Sequence, residues 1–106
     1  RELTEAAAGI MVALEGQTPT LYPRYVQACR AMGMNDDDLE FFHVHIENDT
    51  HHEGEGLQIT YRYAHTPALQ LKAVAAVAAS ARQRLAMLDG IWSAIETGDW
   101  KLRQKA

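Results

Sequence analysis

The chain has 106 residues, the length of one small domain with a modest core. It is 47% hydrophobic and 23% charged, a balance that excludes a disordered chain. A net charge of −4 with scattered Lys and Arg excludes the basic face that nucleic acid requires, and the single cysteine, Cys29, excludes an internal disulfide. No apolar run approaches the length of a membrane span and no signal peptide is visible, so a cytoplasmic protein with no membrane or nucleic-acid partner is expected. The chain opens on Arg1, as a trimmed, processed or partial chain would.

Strand signals are nearly absent, because β-branched residues never alternate for more than a few positions. Four helical segments are expected instead. The first runs from about Leu3 to Glu15, with Ala6, Ala7, Ile10, Met11 and Leu14 on an apolar stripe; Gly16 and Thr18-Pro19 are expected to end it. The second starts near Thr20, tolerates Pro23 in its first turn and reaches about Met32, with Gly33 as its stop. The third follows Asn35-Asp36-Asp37-Asp38, whose acids supply a cap and suit the positive end of the helix dipole, and extends to Tyr63 or Ala64. Gly54 and Gly56 weaken it locally and leave room for another helix or a substrate to come close. The fourth goes from Pro67 to about Glu96, is long and rich in alanine, and ends before Gly98-Asp99. With no repeat or linker, residues 1–106 are expected to form a single all-α, antiparallel bundle of about four helices.

The third helix carries the chemistry. His45, Asp49 and His52 stand at i, i+4 and i+7, so Asp49 lies roughly 40° and His52 roughly 20° from His45 around the axis. The same face continues into Phe41, Phe42, Gly56, Ile59 and Tyr63, so its ends are apolar and its middle ionisable. Two imidazoles and a carboxylate turned inward are costly without a partner. A shared metal ion is the economical explanation, and mixed oxygen and nitrogen donors suit iron or manganese. Glu15 ends the apolar face of the first helix and is a further candidate ligand, against the plainer alternative of an exposed terminal acid. His51 points away from the stripe, towards solvent or behind the ligands; Glu55 stands where it could orient His52; Phe42 and Ile59 are candidate walls of a substrate pocket. No catalytic residue beyond the metal ligands is expected. His43 is expected at the surface, His65 at a helix cap, Glu47 and Glu53 on a solvated face, Tyr61 and Tyr63 in helix interfaces, and Cys29 as a small packed hydrophobe.

The motif His45-x3-Asp49-x2-His52 behind Phe41-Phe42 resembles a helix of the haem-oxygenase-like diiron oxidases and oxygenases. Ala13-Leu14-Glu15-Gly16-Gln17-Thr18-Pro19 is similar to that family's ligand-bearing segment, and Arg84 to Trp92 is similar to its terminal helix. The resemblance implies the C-terminal half of a seven-helix fold. It also implies that Glu15, His45, Asp49 and His52 are four of six ligands to two irons. The other two, a Glu and a His seven residues later, lie on an earlier helix in the family and have no counterpart here. The implied function is an iron-dependent oxidase or oxygenase that activates O2 to oxidise a small organic substrate such as an amine, an amino acid or a fatty acid. Fe(II) is the implied cofactor, with Mn as a substitute. Two alternatives stand beside it: a non-catalytic metal- or O2-binding helical module, and a structural half-fold that dimerises. A homo-oligomer, or association with a missing N-terminal half, is expected in each.

Overall fold

The N-terminal sequence Ala6-Ala7-Ala8-Gly9 carries almost no side-chain bulk, so other helices can lie directly against its backbone. The computed structural model, which describes residues 2–100, is built around that property. A first helical rod starts as α1 (Leu3–Ala6), continues as a π-helical stretch (Ala7–Leu14) and a 3₁₀ turn (Glu15–Gln17), and runs on into α2 (Thr18–Ala31). Two more helices follow, α3 (Glu40–Tyr63) and α4 (Pro67–Thr97), and the described residues contain no strand. Both pack on the first rod rather than on each other.

The contacts fix the directions. Met11 meets Gly56, Glu15 meets His52 and Tyr22 meets Phe42, so α3 runs opposite to the first rod. Glu2 pairs with Lys72, and Gly9 faces Ala76 and Ser80, so α4 runs in the same direction as the first rod.

The all-helical fold agrees with the sequence, but the boundary expected at Gly16–Pro19 does not interrupt the rod. Backbone angles stay right-handed helical at Ala7, Glu15 and Thr18. The change of winding explains this. A π turn bonds five residues back and a 3₁₀ turn three, so the hydrogen-bond register shifts ahead of Pro19, which has no N–H to give. Pro19 then falls at the start of α2, where a proline is tolerated, while Pro23, expected in the first turn, lies inside the helix because α2 begins earlier, at Thr18.

The acids before α3 also act differently from expectation. The residue flanking its start is Leu39, fully buried and without a side-chain cap. Asn35 and Asp38 instead close the preceding turn on each other, each backbone N–H donating to the other's side chain at 3.0 Å. Arg30 at the end of α2 donates to Asp36, which ties the loop to the helix it leaves. The start of α4 is conventional: Thr66 accepts from the Leu69 N–H, Pro67 takes the first position, and Gly98 ends the helix at φ 71°. His65 is the expected cap, its Nδ1 lying 2.8 Å from the Tyr63 carbonyl at the end of α3.

The core is made of small residues. Ala7, Ala8, Ala13 and Ala73 are buried with Val26, Leu39 and Ala64, while most large apolar side chains stay in solvent. Tyr61 and Tyr63, expected in helix interfaces, are 81% and 43% exposed, and Phe41 is 57% exposed. Three rods in an open layer measure 50 × 30 × 20 Å, with a radius of gyration of 17.1 Å. A compact chain of this length has about 13 Å. Its apolar surface is therefore only partly used.

Two glycines of α3 separate close packing from empty space. A Cβ at Gly56 would stand 2.6 Å from the Met11 Cβ, whereas one at Gly54 would meet nothing within 4 Å. Gly56→Ala should therefore destabilise by about 1–3 kcal/mol through overpacking. Gly54→Ala should stabilise by about 0.5–1 kcal/mol through helix propensity. Thermal unfolding followed by circular dichroism reads both signs, and equal shifts would contradict the close approach. The Arg30 hydrogen bond and charge also hold the Asp36 carboxyl below its usual range, with a smaller contribution from His43. Arg30→Ala should return the Asp36 titration, followed by carboxyl NMR, towards the ordinary value. The stabilisation is present above the unfolded-state pKa and fades as pH falls through the lowered folded one; Asp36 is solvated, so the loss is small.

Candidate metal centre

Glu15 stands where the π-helical stretch gives way to the 3₁₀ turn. That change of winding sets its side chain towards the middle of α3. There, Asp49 and His52 are one turn apart on the face that packs against the rod, and Gly56, one turn further on, lets the two backbones close up. The result is a three-residue group. One ligand atom each from Glu15, Asp49 and His52 lie within 4.8 Å of one another.

Within the group, His52 Nδ1 is 2.7 Å from Glu15 Oε2 and 3.4 Å from Asp49 Oδ1. The Asp49 side chain is 9% exposed and that of Glu15 28%. Despite the short distance, Glu15 Oε2 and His52 Nδ1 are buried without a properly aligned hydrogen bond. Orphaned polar atoms in such a place are expensive unless something else satisfies them. Two carboxylates held this close also repel each other, and a cation between them removes that cost.

The donor set fits such a cation. Bonds of about 2.0–2.2 Å to one ion put ligand atoms at most about 4 Å apart, so small side-chain rotations close the observed spread. Two oxygens and one imidazole nitrogen match the preference of Fe(II) or Mn(II), and three ligands leave positions free.

His45, the fourth expected ligand, lies outside this group of three. It sits one turn before Asp49, its ring stacked at 4.1 Å on Phe41 and 6.3 Å from Tyr22. Its Nδ1 is 2.7 Å from the Phe41 carbonyl oxygen. A carbonyl only accepts, so Nδ1 carries the hydrogen, and in the neutral ring the lone pair is on Nε2. Metal-binding histidines are usually oriented in this way.

The other candidates are placed as follows. Phe42 packs edge-on against Tyr22 at 5.3 Å and against Phe41 at 5.4 Å, in an aromatic cluster that pins α2 to the start of α3. Ile59 lines a shallow surface depression with Glu55, Gln58, Arg62 and Tyr63. His51 and Glu55 are exposed. Glu53 is the residue that sequence reasoning missed. Its spacing sets it on a solvated face, yet it is half-buried, and its carboxyl group lies where a Cβ on Gly16 would come within 3.2 Å of it. The only hint in the sequence is that Gly16 directly follows a candidate ligand.

Residues 1–89 match the family model described as iron-containing redox enzyme, of haem-oxygenase-like type. No curated protein and no solved structure matches the chain. Among the described residues, no helix is long and apolar enough to cross a membrane.

The Phe41 contact yields a direct test. In metal-free protein, long-range ¹H–¹⁵N spectra should show neutral His45 as the Nδ1–H tautomer. A neutral Nε2–H form would contradict the geometry.

Proposed function

Because the chain belongs to the family of iron-containing redox enzymes, we propose that it contributes an iron site at which O2 oxidises a small organic substrate. The convergence of Glu15, Asp49 and His52 carries this proposal. These residues come from two separate sequence blocks, both of which resemble the family's ligand segments. The meeting of their side chains within 4.8 Å supports the reading.

In this proposal Glu15 Oε2, an Asp49 carboxylate oxygen and a ring nitrogen of His52 hold the ion, and His45 joins through Nε2. Bound iron supplies the one-electron chemistry that activates O2. The protein residues do the rest. The two carboxylates offset the ion's charge. The Phe41 carbonyl fixes the His45 ring. Tyr22 and Phe41 stand beside His45, where with Phe42 they would favour an apolar or aromatic substrate portion. The second iron of a complete site would need the Glu and His that these residues do not provide. We propose that they come from a further segment or chain, and that the three rods are then part of a larger antiparallel bundle of the family type. A cytoplasmic location belongs to the same proposal.

Anaerobic Fe(II) titration tests the site. Glu15→Gln, Asp49→Asn and His52→Ala should each weaken binding by at least about tenfold, and His45→Ala should weaken it too. Tight binding that none of these changes affects would overturn the assignment. With iron loaded, O2 should be consumed and an oxidised product formed; reversible O2 uptake without product would identify a carrier.

A further inference from the structure

The outer face of α4 follows a rule that neither the metal site nor the first rod requires. Leu71, Val74, Leu85, Leu88, Trp92 and Ile95 lie on it, and each is between 37% and 71% exposed. Together with Ala78 and Ala81 in the gap, their spacing is three, four, three, four, three, four, three. That is an unbroken heptad seam of eight positions across nearly the whole helix, with a period of 3.5 rather than 3.6. It is distinct from the side that faces the first rod, where Ala73 is buried and Ala76 and Ser80 meet Gly9. Val74 points about 100° around the axis from Ala73.

A 3.5 repeat is the mark of a helix that winds around another helix of the same kind. The flanking charges say which one. With Leu71 in the first core position, Arg84 falls at a g position and Asp89 at the e position five residues later. In a parallel, in-register pair of α4 helices, Arg84 of each copy faces Asp89 of the other, twice over. No other g-to-e pair in the seam brings like charges together. In the antiparallel pairing that overlaps the whole seam, residue 88 would face residue 78 and the two Arg84 residues would face each other, which is unfavourable.

We propose that a second copy of this chain docks on α4 as a parallel two-stranded coiled coil along Leu71–Ile95. This inference rests on α4 alone and is independent of the iron reading. Ala78 and Ala81 let the two backbones approach beside the first rods, and the larger residues fill the layers beyond.

Sedimentation equilibrium tests the association. The chain should be a dimer, and Leu85→Glu with Leu88→Glu should give a monomer whose helicity and Fe(II) binding are unchanged. Arg84→Glu and Asp89→Arg should each weaken dimerisation by roughly tenfold, and the double variant should restore it. Leu88→Cys in a Cys29→Ser background should form a covalent dimer on oxidation, because only the parallel register sets residue 88 against its own copy. A wild-type monomer at all soluble concentrations would overturn the proposal and leave the seam to some other segment or chain. So would a dimer indifferent to the Leu85/Leu88 changes, an absence of the residue-88 cross-link, or a double charge swap no better than the single ones.

Discussion

The close approach of α3 to the first rod at Gly56 is the constraint on which the rest of this molecule depends. With a Cβ at that point only 2.6 Å from Met11, the two backbones can meet only because residue 56 has no side chain. The contact sets both the distance and the register between the elements that carry Glu15 and His52. Without it, the carboxylate from one rod and the carboxylate–imidazole pair from the other would be separate surface groups. With it, buried Asp49 shares a small space with two atoms that lack aligned hydrogen bonds. A packing contact at one glycine therefore decides whether the three side chains meet.

The composition of the core follows the same logic. Rods that approach this closely are lined by alanine and glycine, which bury little apolar area per residue. The larger side chains are displaced outward: to the aromatic cluster around Tyr22 and Phe42, and to the free side of α4. The chain thus joins a tight, small-residue interior to an apolar exterior.

Much of this was legible in the sequence because its signals were local. The helical period, Thr66-Pro67 and Gly98 marked α4 almost to the residue, and the spacing of Asp49 and His52 put them on one face. Gly54 and Gly56 both read as places where another element could come close, and only at Gly56 does one do so. What the sequence did not show depends on tertiary context. Gly16 and Pro19 look like a break, and only the shift from π to 3₁₀ winding lets the rod pass through them. Periodicity indicates that Tyr61 and Tyr63 share a helix with core residues, but not whether any element covers them. The separation of His45 from the other three site residues was likewise invisible, because helical spacing sets side chains on one face but does not say which way each ring turns. Glu53 reads as one more surface acid until Gly16 is seen beneath it.

The wide winding of Ala7–Leu14 makes the length of that segment as important as its composition. A deletion of one alanine there would leave the ligand motifs intact. With the wide winding kept, it would turn everything upstream relative to Glu15 by one residue's rotation, less than the roughly 100° of an α-helix, so the carboxylate and the alanine face could no longer serve their partners together. Homologous chains that keep the same ligands should therefore differ in this stretch by substitution and rarely by insertion or deletion.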